Sequence, residues 1–332
     1  MHKRVIRAVA MLLLLALLPT PGVAAQRVSV AYMPNYASLF SVVTGIRMGY
    51  FADEGLEVNL VEFADGPTII AAMENGSIDM GYIGPGGHKL CIQGYAKIFC
   101  MSHMGNADAV LGIRSHGVTQ VTDLKGKRVG YASGTSSEII LGYALADAGL
   151  TMADVELKEM DASALVTATL SGSIDACAAW SPSTAIIRQK MGDDIAVLAE
   201  NATFADRSAS IASWIVANQY SQNHAETVLA FTRALYRAMD YHKEHMEETC
   251  RWVAEMLGES YETVWAQRTD GFWLDHAELV DMVQSGEMEK QYALQQNSFL
   301  TAGVIERIAP VASYVLFDNM LTAAQTLNGQ TP

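Results

Sequence analysis

Two stretches, Glu74-Asn-Gly-Ser-Ile-Asp79-Met-Gly and Leu170-Ser-Gly-Ser-Ile-Asp175-Ala-Cys, carry the same Gly-Ser-Ile-Asp core far apart in the chain, each after a helical apolar run. Each reads as a helix end, a glycine cap and the start of a short strand. The echo predicts two similar α/β lobes, with the repeated unit at the carboxyl edge of each sheet, where ligands of such folds bind.

Working outward, Val28-Ser-Val-Ala-Tyr32 alternates as a strand and runs into Pro34-Asn35-Tyr36, after which 39–50 reads as an amphipathic helix. A strand over 56–63, a helix opened by Asp65-Gly66-Pro67-Thr68 and a strand over 78–83 follow. Gly84-Pro-Gly-Gly87 opens a further helix, and 97–103 returns as a strand. The βα pattern repeats from Arg128 to Leu198. The β-rich runs Ala109–Ile113 and Ile211–Val216 flank that repeat and read as paired crossover strands forming a hinge. The expected organisation is 26–113 as the first part of lobe one, 114–212 as lobe two, and 213–332 as the return to lobe one with C-terminal helices wrapping it.

Residues 1–25 combine Lys3, Arg4 and Arg7, an apolar run over 8–18 and Val23-Ala24-Ala25 before Gln26, the pattern of a cleaved signal peptide. The run is shorter than the roughly 20 residues of a spanning helix, so export of a chain with no membrane insertion is expected. Loss of the three basic residues takes the net charge from −14 to −17, which disfavours nucleic acid and anionic membranes as partners. The remaining length suits two lobes. Cys91, Cys100, Cys177 and Cys250 are too few and scattered for a disulfide scaffold; Cys91 and Cys100 flank a turn and are either bridged or buried thiols. Histidines His242 and His245 have the spacing of an exposed helix face, the methionines are scattered, and no metal or cofactor is expected.

The ordered runs Gly49-Tyr-Phe-Ala-Asp-Glu-Gly-Leu-Glu-Val58, Gly66-Pro67, Gly76-Ser-Ile-Asp-Met-Gly81, Asp123-Leu-Lys-Gly-Lys-Arg-Val129, Gly172-Ser-Ile-Asp-Ala176 and Trp180-Ser-Pro182 span nearly all of the chain after the signal segment. Together they resemble the nitrate, sulfonate and taurine type of periplasmic solute-binding protein of ABC transporters, whose fold also includes binders of thiamine-pyrimidine precursors. The resemblance implies a two-lobed type II periplasmic binding protein fold, with two Rossmann-like lobes joined by two hinge strands. It also implies a small-molecule ligand in the cleft, delivery to an ABC transporter permease, a periplasmic location and a monomer.

The loops that follow strands are the candidate ligand contacts. Gly134, Thr135, Ser136 and Ser137 stand where a strand gives way to a helix, which suits an oxyanion at the helix N-terminus or a simple cap completed by Glu138. In the family, the similar loop grips the charged group of the ligand. Asn35, Tyr36 and Ser38 offer an amide, a phenol and a hydroxyl, or turn chemistry. Gly66, Pro67 and Thr68 offer a helix start, and Gly84, Pro85 and Gly86 allow close backbone approach with His88 behind. Trp180 and Ser181 suit the covering of an apolar or aromatic group, unless the indole is core, and Asp206 suits an amine, unless it is a surface carboxylate. With Lys89 the one basic residue nearby, an anion would rest on neutral donors.

The leading function is non-catalytic capture of a small organic anion, sulfonate-like or taurine-like, with nitrate less favoured. A pyrimidine stacked on Tyr36 and Trp180 is an alternative. Another is a dehydratase or lyase on the same fold acting on a small carboxylate, with His88, His103, Glu138 and Asp206 as the available acids and bases.

Overall fold

The computed structural model describes residues 25–327, so the expected signal peptide lies, save for Ala25, outside the described residues. Strand β1 (Gln26–Tyr32) pairs in parallel with β2 (Leu56–Glu62) and β3 (Met80–Ile83). After β4 (Ala96–Gly105) the chain crosses at residues 106–108 and enters a second sheet through β5 (Ala109–Ile113). There β6 (Arg128–Tyr131), β7 (Glu156–Glu159), β8 (Ala176–Ala179) and β9 (Ile195–Glu200) complete the order β7-β6-β8-β5-β9. The chain returns over 201–210 into β10 (Ile211–Ala217), and with β11 (Gly271–Trp273) the first sheet runs β11-β4-β10-β3-β1-β2.

Strands β5 and β10 do not pair with each other. Each is the antiparallel strand inside the lobe that the chain has just entered: β5 lies between β8 and β9, β10 between β3 and β4. Every residue of both is buried, as a strand covered on both faces must be and a solvated hinge strand is not. The expected lobe boundaries therefore shift. Residues 109–113 belong to lobe two, 211–212 belong to lobe one, and the sheets are linked by residues 106–108 and by residues 201–210, which open with a 3-10 turn at Asn201–Phe204.

The sequence echo is a repeated clamp. The Asp79 backbone N–H donates to Ser29 O (3.0 Å), and Ser29 N–H donates to Asp79 Oδ2 (2.8 Å). In lobe two, Asp175 N–H donates to Arg128 O (2.8 Å), and Arg128 N–H donates to Asp175 Oδ2 (2.9 Å). Gly76 and Gly172 both adopt left-handed φ, 78° and 70°, to turn the chain from helix to strand. Because the unit precedes β3 and β8, it stands at the amino edge of each sheet, opposite to the carboxyl edge expected from sequence. The helix end that it caps delivers the chain to that edge, so its role is structural.

Helix α1 (Tyr36–Arg47) begins three residues before the expected start, because the Asn35 side chain accepts from Ser38 N–H and caps it. Helix α2 (Gly66–Glu74) follows β2, and α3 (Ser136–Asp147) follows β6 at the place that α1 takes after β1. Trp214 of β10 is fully buried, and the long helix α4 (Ala225–Glu244) adds Phe231, Leu235 and Met239 to the same core. The C-terminal part does not wrap lobe one alone: Phe299 and Ile305 pack against Ile139 of lobe two, and Tyr143 Oη donates to Ser298 Oγ (2.7 Å). All four cysteines are buried free thiols, and burial pushes Cys91 up to about 12. Among the described residues no helix is long and apolar enough to cross a membrane.

Candidate functional site

The carboxyl ends of β1, β3 and β6 face one another across the gap between the lobes. A cavity of about 70 Å³ lies there, lined by Asn35, Gly66, Pro67, Gly84, Pro85 and Gly86 from lobe one and by Thr135, Ser136, Trp180 and Ser181 from lobe two. Those ten are the expected site residues that the fold brings together. The lobes touch beside it. A Cβ added to Gly86 would fall 2.2 Å from Thr135 C and 2.3 Å from Ser136 N, a space that only glycine leaves open. Gly134, at φ 79°, lies against Pro67, where an added Cβ would sit 3.1 Å from Cγ.

Seven expected site residues do not line the cavity. Tyr36 is the first residue of α1, and its phenol is fully buried in lobe one, 2.7 Å from His242 Nε2 and 3.2 Å from Thr249 Oγ1. Ser38 accepts from Met33 N–H (3.0 Å) and Ser137 accepts from Ala132 N–H (3.1 Å); both hydroxyls tie their loops to their helices. Thr68 donates to the Asp65 side chain and backbone as part of a cap. His88 is enclosed in lobe one with Nδ1 2.6 Å from Gln295 Oε1, and burial lowers its pKa to about 4. Gly134 N–H donates to Glu138 Oε2 (2.8 Å). Asp206 is an exposed carboxylate on the return loop.

The expected anion cradle at the start of α3 is therefore largely engaged by its own turn. Thr135 Oγ1 accepts from Ser137 N–H and donates to Ala132 O, and Gly86 abuts the Ser136 N–H. Lys89 does not reach an anion site either, since its ammonium pairs with Glu138 at 3.6 Å.

Sequence reasoning missed the residues that set the charge of the cavity. Asp65, Asp108 and Asp270 line it together with Tyr82, His103, Ser210 and Gln267, and among the described residues no Lys or Arg lines it. Asp108 occupies the first crossing. One of its carboxylate oxygens accepts from Ser136 Oγ (2.5 Å), and the other accepts from Asn201 Nδ2 (2.8 Å). Burial raises its pKa, and the two donors partly offset that. Asp270 follows a helical turn in the C-terminal region. Burial raises its carboxyl to about 6; nearby Ser181 opposes the rise and the Asp108 charge adds to it. The Ser181 hydroxyl, in a residue 5 % exposed, and the Ser210 hydroxyl have no hydrogen-bond partner of standard geometry among the described residues. His103 is neutral, because burial and His242 bring its pKa down to about 3. Asp108 was within reach of a sequence reading, since Asn106-Ala107-Asp108 separates two strands at the crossing. Asp270 gave no signal, being remote in sequence in a Thr-Asp-Gly turn.

A second cavity of about 330 Å³ adjoins the first and shares Pro85, Gly105, Asp108, Ser136 and Ser210 with it. Its other walls are mainly apolar: Met104, Ile139, Ile140, Tyr143, Phe204, Phe272, Leu294 and Phe299.

The profile of the family described as NMT1/THI5 like matches residues 37–249, more than half of the chain. A Brucella abortus protein named as a binding protein is 29% identical over 310 residues, 93% of this chain and 96% of that protein. The taurine-binding periplasmic protein of Escherichia coli is 23% identical over 246 residues, 73% of this chain and 74% of its own. Among solved structures, the alkanesulfonate-binding protein SsuA from Xanthomonas axonopodis pv. citri, bound to MOPS, superposes with a TM-score of 0.67. The match has 18% identity and covers 87% of this chain and 97% of that one. At that identity the likeness establishes the fold, which is that of periplasmic binding proteins.

Proposed function

Because the chain belongs to the NMT1/THI5-like family, we propose that it is the periplasmic solute-binding component of an ABC importer, exported by removal of residues 1–25 and acting as a monomer. A small organic solute enters the cleft, the lobes close on it and the closed form docks on the permease. One observation carries this reading: a single cavity is walled by both lobes and by the first crossing between them. Contacts to both walls form together only in the closed state, and they supply the free energy that shifts the lobes towards it. As ligand class we infer a sulfonate or taurine-like compound, the class named in the taurine-binding and alkanesulfonate-binding relatives. No reaction is assigned to the cleft.

Two observations favour other ligands or roles. The half-buried Trp180 indole on the cavity wall supports an aminopyrimidine, although Tyr36, the second expected stacking partner, is buried elsewhere. Asp270, held near 6, is a group able to exchange protons near neutrality, as an enzyme would need.

A thermal-shift panel of taurine, ethanesulfonate, nitrate and an aminopyrimidine tests the reading. A dose-dependent rise in melting temperature with taurine or ethanesulfonate, with the compound recovered intact, is the expected result. Turnover of any panel member by pure protein would replace the binding role with an enzymatic one, and a response to the aminopyrimidine alone would replace the ligand class.

A further inference from the structure

The inner cavity is small and acidic, whereas its neighbour is larger and apolar. Asp108 and Asp270 stand in the wall of the inner one, without Lys or Arg among its described lining residues. The buried Ser181 hydroxyl stands in the same wall near the Asp270 carboxyl and makes no hydrogen bond of standard geometry among the described residues. Two buried carboxylates in one wall, with a hydroxyl beside them, are complementary to a cation with several N–H donors and hostile to a bare anion.

The chain continues from Asp270 through Gly271 to Phe272, which lines the apolar cavity while remaining 69% exposed. An aromatic ring of that exposure is poorly placed to stabilise the fold and well placed to cover an apolar ligand surface. Gly271 makes this turn possible, because a Cβ there would lie 2.6 Å from His103 Cδ2. The inner cavity alone holds little more than a head group, and Asp108, Ser136 and Ser210 form a border that the two spaces share.

Resting on the solute-binding reading, we propose that the ligand has two parts: a protonated amine held by Asp270, Asp108 and the Ser181 hydroxyl, and an apolar body lying along Phe272 in the adjoining cavity. Within the sulfonate and taurine class, this selects amine-bearing members over plain alkylsulfonates.

The matched probes are hexylamine and hexanesulfonate, with taurine as an amine that lacks the apolar body, each titrated calorimetrically into the full exported protein. Hexylamine is expected to bind at least about tenfold more tightly than hexanesulfonate, the factor that one charge-assisted contact supplies. Asp270→Asn should remove that preference, and Phe272→Ala should weaken hexylamine more than it weakens taurine, which has no apolar body to lie along that ring. Hexanesulfonate binding as tightly as hexylamine, or hexylamine binding that neither variant weakens, would overturn the two-part ligand and leave the solute-binding role standing. Taurine binding alone, with no response to hexylamine, would also overturn it. Failure of all three probes together with the whole thermal-shift panel would remove both.

Discussion

Asp270, the carboxylate proposed to hold the amine, illustrates how a group can be kept at a cost to the unliganded protein. Its carboxyl is raised from 3.8 to about 6, so the folded state holds the proton more tightly than the unfolded chain does. The associated stability is complete below the unfolded value and is lost as pH rises through about 6. At pH 7.5 the ionised group therefore weakens the unliganded fold by up to about 3 kcal/mol, an upper bound because the site is partly solvated. Asp270→Asn is expected to be more stable than the wild type at pH 7.5 in urea melts, with the gap closing towards pH 4. A gap independent of pH, or a variant less stable at pH 7.5, would show that the carboxylate is not strained by its surroundings. Stability gained with ligand recognition lost is the pattern expected of a functional residue.

At the scale of elements, the two aspartate clamps perform one task with different reinforcement. Asp79 closes the Ser29 N–H at the start of lobe one, whereas Asp175 closes the Arg128 N–H and also accepts from the Arg128 guanidinium (2.6 Å) and pairs with His116 Nδ1 (2.9 Å). Asp79→Ala should cost about 1–3 kcal/mol, the penalty for an unsatisfied backbone donor, and Asp175→Ala should cost more. Urea denaturation ranks the two, and an equal or inverse order would contradict the clamp. The duplicated Gly-Ser-Ile-Asp unit was legible as a sign of two lobes because its glycine turn and aspartate bond are local. Its edge was misjudged, although connectivity alone determines it: a helix returns the chain to the amino end of the next strand. Helix α1 started early for a similarly local reason, since Asn35 is a cap and Tyr36 consequently turns inward. The loops after β1, β3 and β6 were readable as cleft walls, whereas Asp270 reaches the cleft from the C-terminal region by tertiary packing that no local pattern encodes.

In the molecule as a whole the lobes meet at a few interlocking surfaces. Gly86 fits against Thr135 and Ser136, and Ile139 packs with Phe299 and Ile305. Gly86→Ala would drive a methyl into backbone that cannot yield, so its lobes should stay apart. Small-angle scattering is expected to give a larger radius of gyration for the variant than for the wild type, together with weaker ligand binding. An unchanged radius would show that the backbones accommodate a side chain there. The crossings are joined as well: Asp108 N–H donates to Asn201 Oδ1 (2.8 Å), and Asn201 Nδ2 donates back to Asp108 Oδ2 (2.8 Å). That reciprocal pair fastens the outbound chain to the returning one between the two sheets, and its carboxylate also lines the cavity. If solute is held as proposed, grip and pivot share one side chain, so cargo that settles against Asp108 acts on the axle directly, and selectivity there cannot be retuned without also retuning how readily the jaws part.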